Sequence, residues 1–152
     1  MANAGRAGAS MDISSNEYVI LHPDPAVGKV LRGILRESGA QAVRILQDRH
    51  EGLALVRSGK GDVLLVDERL CGPDDWRLVR DLRHVVRERP LPVAIFMTGA
   101  PTRQILQAAL REGYASVIAV PFSVRTFAAH VRRAFSTSPE SDLDLADKFL
   151  LD

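Results

Sequence analysis

Cysteine, tryptophan and tyrosine are scarce in this chain: one, one and two copies in 152 residues. The lone thiol, Cys71, cannot close an internal disulfide, which excludes a disulfide-stapled scaffold and fits a reducing compartment. Apolar runs stop after a handful of residues, far short of the roughly 20 that a membrane-spanning helix needs. The opening stretch MANAGRAGAS is small and rich in Ala and Gly, without the apolar centre of a secretory signal. A surplus of one charge is also missing. Twenty Lys and Arg stand against 19 Asp and Glu, a formal net charge of +1, so the whole chain carries no electrostatic footprint for nucleic acid. There is no internal repeat and no heptad run. The reading these absences leave is a cytoplasmic protein with no membrane and no direct nucleic-acid partner.

What the chain does have is a core. Hydrophobic residues make up 46% and charged residues 26%, ordinary globular composition at one-domain length. From Tyr18 onward short apolar runs alternate with longer amphipathic segments. YVIL (18–21), AVRIL (42–46), DVLLVD (62–67), VAIFMT (93–98) and SVIAV (116–120) read as strands. Between and after them, 26–38, 48–59, 76–89, 102–113 and 123–136 have apolar residues at helical spacing, with Asp48 placed as a cap and Gly39 as a stop. Five strands alternating with five helices predict an α/β fold, a doubly wound parallel sheet with helices on both faces. In such sheets the site lies beyond the carboxyl ends of the strands. The domain reading is an N-terminal extension over 1–17, expected to be flexible, a folded domain over 18–136, and a tail over 137–152 that could form a short helix.

The first strand-end turn, HPDPAVGK, ends in Gly28-Lys29 and invites a phosphate-loop reading. The residues reject it. At the spacing where such a loop needs its first glycine stands Pro23, which has no amide hydrogen, and Val30 replaces the hydroxyl that would reach magnesium. Gly-Lys here reads as the first turns of a helix. A zinc site from His22, Asp67 and Cys71 has no recognised ligand spacing.

The other strand ends form a more specific pattern. Asp67 closes a fully apolar strand ahead of a Gly-Pro loop, Thr98 ends the next strand in FMTG, and the last strand runs into VPF (120–122). With the Asp-Pro at 24–25 and REG at 111–113, this order of elements resembles the receiver domain of bacterial two-component response regulators, over Tyr18 to about Phe135. The resemblance implies the flavodoxin-like strand order 2-1-3-4-5. It makes Asp67 the phosphoacceptor and Thr98 the switch hydroxyl that follows the phosphoryl group.

Where the chain departs from the family, it loses charge. The two acidic residues that hold magnesium in receivers fall at His22 and Pro23, with Asp24 a distant second ligand. The lysine position is Val120, and the moving aromatic is Val117. Magnesium wants an octahedron of hard oxygens, which Asp67 alone supplies poorly. Phosphoryl transfer rests on positioning and charge stabilisation. Loss of one such donor commonly slows a reaction about 10²–10³-fold. No cofactor is expected, and the chain is not expected to be an enzyme. His22 is placed to sit against Asp67, either protonated as a stand-in for the metal's charge or neutral and bonded to backbone.

The function that the resemblance implies is an atypical single-domain receiver in phosphorelay signalling, acting by protein contacts. Its partner would be a histidine kinase, a phosphotransfer protein or an output protein. Two alternatives remain at this point. One is a working switch phosphorylated on Asp67 by a histidine kinase. The other is a pseudo-receiver module of a transcription or antitermination regulator. The face that receivers use for partners and homodimers would carry Arg103, Gln107, Arg111, Arg125, His130 and Arg133. The basic stripe Arg77, Arg80, His84 and Arg87 reads as a solvated helix face with ion pairs, and Trp76 as a loop-packing residue.

Overall fold

The computed structural model describes residues 12–72, 75–86 and 90–135. Strands β1 (Glu17–Leu21), β2 (Ala42–Leu46), β3 (Val63–Asp67), β4 (Val93–Thr98) and β5 (Ser116–Ala119) alternate with helices α1 (Pro25–Glu37), α2 (Arg49–Arg57), α3 (Leu78–Val85), α4 (Arg103–Arg111) and α5 (Val124–Ala134). All neighbouring strands pair in parallel, in the order 2-1-3-4-5. This is the doubly wound, flavodoxin-like arrangement that the alternation of elements predicts.

Period-two alternation divides each strand between two cores. Val19, Leu21, Leu64, Val66 and Phe96 face one side, under Val56 of α2, Leu78, Val79 and Leu82 of α3, and Leu106 and Leu110 of α4. Tyr18, Ile20, Leu65, Ile95, Met97 and Ile118 face the other, under Leu31 and Leu35 of α1 and Phe127 and Val131 of α5. Every residue of β3 is buried, which is why its sequence is a continuous apolar run ending in one carboxylate. The edge strand β2 is half exposed and carries Arg44, a charge that discourages edge pairing. A core truncation such as Phe127→Ala removes contacts worth about 3–5 kcal/mol.

Four helices begin at a side-chain cap. Asp24, Asp48, Thr102 and Ser123 accept from the amides of Ala26, Glu51, Ile105 and Thr126. Each such cap contributes about 1 kcal/mol. Helix α3 has none, and it is shorter than the 76–89 read from the sequence. It starts at Leu78 because the Trp76 ring is turned onto Phe96, at 4.9 Å between centroids, and Tyr114, at 6.2 Å. It stops where Val86 becomes extended and buried; 87–89 lie outside the described residues.

Gly28 of the rejected phosphate loop has a packing explanation. It is buried in α1, and a β-carbon there would meet Ile45 Cγ2 at 2.6 Å, so the glycine lets α1 lie close on β2. The N-terminal boundary also shifts. Part of the stretch assigned to an extension is packed: residues 13–15 form a 3₁₀ turn capped by Asp12, and the Tyr18 hydroxyl donates to Ile13 O at 2.9 Å. Ile13 leans on the second core and Asn16 is buried, so the packed chain begins near Asp12 rather than Tyr18. Residues 1–11 and the tail over 137–152 lie outside the described residues.

Candidate functional site at the end of the third strand

Backbone register alone brings two polar pairs together. Leu21 pairs with Val66, so the next residues along the parallel strands, His22 and Asp67, are neighbours. Asp67 pairs with Met97, which sets Glu68 beside Thr98. The side chains meet accordingly. His22 Nε2 lies 3.3 Å from Asp67 Oδ1, and the Thr98 hydroxyl donates to Glu68 Oε1 at 3.0 Å.

Asp67 is buried at 4% exposure, yet its carboxylate is fully engaged. Oδ2 accepts from the Arg69 amide and from Arg69 Nε, both at 2.9 Å. The guanidinium reaches in from solvent, with its side chain 59% exposed. An unpaired buried carboxylate would carry a desolvation cost of several kcal/mol, on the order of a whole domain's margin of stability, so this pairing holds the charge in place.

His22 takes the second of its two readings while keeping the contact of the first. The Asp24 amide donates to Nδ1 at 2.9 Å, which makes that nitrogen an acceptor. The neutral ring then carries its proton on Nε2, the atom facing Asp67, and we assign that tautomer. Arg69 Nη2 also lies 2.9 Å from Nε2. Nε2 thus faces both the Asp67 carboxylate and the Arg69 guanidinium. Arg69 brings its guanidinium charge directly onto Asp67.

Thr98 stands at the end of β4, where the sequence placed it. It is fully buried, its oxygen accepts from the Ala100 amide at 3.0 Å, and its single proton goes to Glu68. Glu68 Oε2 accepts the Gly99 amide at 3.0 Å. In this arrangement the hydroxyl is bonded to Glu68.

The residues around Asp67 do not fit magnesium. His22 offers a ring nitrogen that bears a proton, and Pro23 offers no ligand atom on its side chain. Asp24 is exposed, with Oδ1 capping α1 through Ala26. A guanidinium already occupies one face of the acceptor. Val120 leans on the core beneath α1 and α5 and brings hydrocarbon where a cation would stand; its amide donates to Thr98 O at 2.9 Å. Val117 is buried on the opposite side of the sheet. Cys71 donates to Asp75 O at 3.2 Å, and no cluster of three metal-ligating side chains gathers among the described residues.

A shallow cavity of about 520 Å³ opens beside this loop, lined by Arg49, Glu68, Arg69, Leu70, Cys71, Gly72 and Asp75. Arg49 bridges Asp75 at 2.8 Å and Asp81 at 3.4 Å, tying α2 to α3. Arg77 beside Asp75 holds that carboxyl well below the usual carboxylate range. Of the basic stripe, Arg80 pairs with Glu112 at 3.1 Å and Arg77 with Asp75 at 2.9 Å, while Arg87 lies outside the described residues. On α4 and α5, Arg103, Arg111 and Arg125 are exposed, and Gln107 and Arg133 half-buried. His130 differs from them: its Nδ1 is 2.6 Å from the hydroxyl of buried Ser116.

Comparisons with known proteins bear on the family and the fold. No family model matches the chain. A response regulator receiver protein of Anaeromyxobacter sp. (strain Fw109-5) is 33% identical over 107 residues, which are 70% of this chain and 43% of that protein. The receiver domain of nitrogen regulatory protein C is 26% identical, with a TM-score of 0.62 over 81% of this chain and 96% of that one. The chain belongs to the response regulator receiver family. This receiver spans less than half the length of its curated relative. The fold recurs in a two-component response regulator from Clostridium difficile, 21% identical with a TM-score of 0.64 over 80% of this chain and 96% of that one.

Two residues of the receiver's site escaped the sequence reading: Glu68 and Arg69. The signal for Arg69 was available. A cation two positions after a strand-end aspartate can fold back onto it, and Val120 offers no lysine to compete. For Glu68 the signal lies in the β3–β4 register, which a single sequence does not supply.

Proposed function

We propose that this receiver works in two-component signalling, in the cytoplasm, through protein contacts and not as an enzyme, with Asp67 closed to rapid magnesium-dependent phosphorylation. One observation carries the reading: both carboxylate oxygens of Asp67 face side chains of the chain itself, Arg69 on Oδ2 and His22 on Oδ1. A phosphoryl donor must approach an oxygen that is already bonded, in a site that lacks the acidic pair and has hydrocarbon at the lysine position. Each missing stabilising group costs about 10²–10³ in rate. Arg103, Gln107, Arg111, Arg125 and Arg133, on α4 and α5, offer a basic surface to an acidic face of a histidine kinase, a phosphotransfer protein, an output protein or a second copy.

Trp76 reports on the metal part of this reading, because its ring packs on Phe96 of β4, next to the strand that ends in Asp67. Millimolar magnesium leaves the Trp76 emission unchanged if the site is closed. A saturable quench that disappears in Asp67→Asn would overturn the proposal.

A further inference from the structure

We propose that Glu68 serves as an internal anion for the switch, holding Thr98 and Gly99 where a phosphoryl group on Asp67 would otherwise have to recruit them. The inference rests on reading the site as a closed receiver and says what sets its state. The observation is a pair of donors at the end of β4. The Thr98 hydroxyl and the Gly99 amide converge on the two oxygens of one carboxylate, each at 3.0 Å. Charge-assisted bonds of this kind are roughly twice as strong as neutral ones. Thr98 Oγ1 accepts from the Ala100 amide and gives its one proton to Glu68.

The neighbouring residue completes the arrangement. Arg69 brings positive charge onto Asp67, while Glu68 brings negative charge onto the end of β4. Successive residues of one loop thus supply the cation and the anion that a metal and a phosphoryl group would supply from outside. Gly72 lies so close to the Glu68 carbonyl that any β-carbon there would collide with it, which fixes the loop's path. Beyond Gly99 the chain runs through Thr102, the cap of α4, to Arg103 and the proposed contact surface. Glu68 therefore anchors the start of α4 without any modification.

Amide hydrogen exchange tests this by NMR in the intact chain. Gly99 exchange in the wild type is compared with that in Glu68→Ala, Glu68→Gln and Asp67→Asn. Exchange at Gly99 rises tenfold or more in Glu68→Ala, rises less in Glu68→Gln, which keeps one acceptor oxygen, and changes under threefold in Asp67→Asn. The amides of Val63 to Val66 in the central strand stay protected in all four proteins, which separates loss of the clamp from loss of the fold. Unchanged Gly99 exchange in both Glu68 variants would overturn the proposal. So would a tenfold rise in Asp67→Asn alone. Phosphorylation of wild-type Asp67 would overturn the functional reading instead, and leaves the Gly99 comparison to be decided by its own result.

Discussion

Two buried aspartates bracket β3: Asp62 immediately before it and Asp67 at its end. Three bonds tie Asp62 to backbone. Its Oδ2 accepts the Glu17 amide at 2.7 Å, its own amide donates to Glu17 O at 2.8 Å, and its carbonyl accepts Val93 N at 2.9 Å. It joins the starts of β1, β3 and β4. Asp67 is held chiefly by side chains, those of Arg69 and His22, with the Arg69 amide as a backbone donor. The same residue type at two ends of one strand thus has two jobs. A carboxylate bonded into the sheet is part of the fold, whereas one bonded by side chains can change partners while the sheet stays intact.

The largest expected effect breaks the first of these. Asp62→Ala leaves the Glu17 amide without its acceptor and costs about 1–3 kcal/mol, read as a lower urea midpoint with unchanged slope. Asp67→Asn keeps an oxygen for Arg69 and costs under about 1 kcal/mol by the same measurement. Equal losses from the two variants would remove the distinction.

A gain-of-function series sharpens the second job. Replacing His22 and Pro23 with aspartate restores the acidic pair but leaves the Arg69 guanidinium on Asp67. Magnesium binding by calorimetry is therefore weak in His22→Asp with Pro23→Asp. It strengthens about tenfold or more, roughly 1.4 kcal/mol, when Arg69→Ser is added. If the first two changes alone give full affinity, Arg69 is not the obstacle.

A third buried polar group has neither kind of partner. The Tyr114 hydroxyl makes no hydrogen bond and lies beside the Cys71 thiol, and burial pushes its pKa up. Replacing it with Phe changes stability at neutral pH by less than about 0.5 kcal/mol, because no bond is lost. A raised folded value means that the folded chain holds the proton more tightly. The stability contribution is complete below about pH 10, the unfolded value, and falls as the pH rises beyond it. Alkaline titration of the urea midpoint shows a shallower fall in Tyr114→Phe than in the wild type.

Much of the fold was legible because its signals are local. A buried central strand reads as DVLLVD, and Asp48 stands at the predicted start of its helix. The errors came where tertiary packing overrides the local pattern. Trp76 leaves helical spacing to join Phe96 and Tyr114, and Ile13 packs from a segment with no apolar period. In the site, Asp67 and His22 could be placed by resemblance to receivers. The bond of Thr98 to Glu68 depends on strand register, and the return of Arg69 onto Asp67 depends on a side-chain conformation. Neither is written in the spacing of residues.

The central claim is that Asp67 is closed by its own chain. Its most direct test is intact-mass analysis of the wild-type protein after incubation with acetyl phosphate and magnesium, with Asp67→Asn as the control. The account predicts no phosphoryl adduct on the minutes timescale. A stoichiometric, magnesium-dependent adduct that is absent in Asp67→Asn would contradict it.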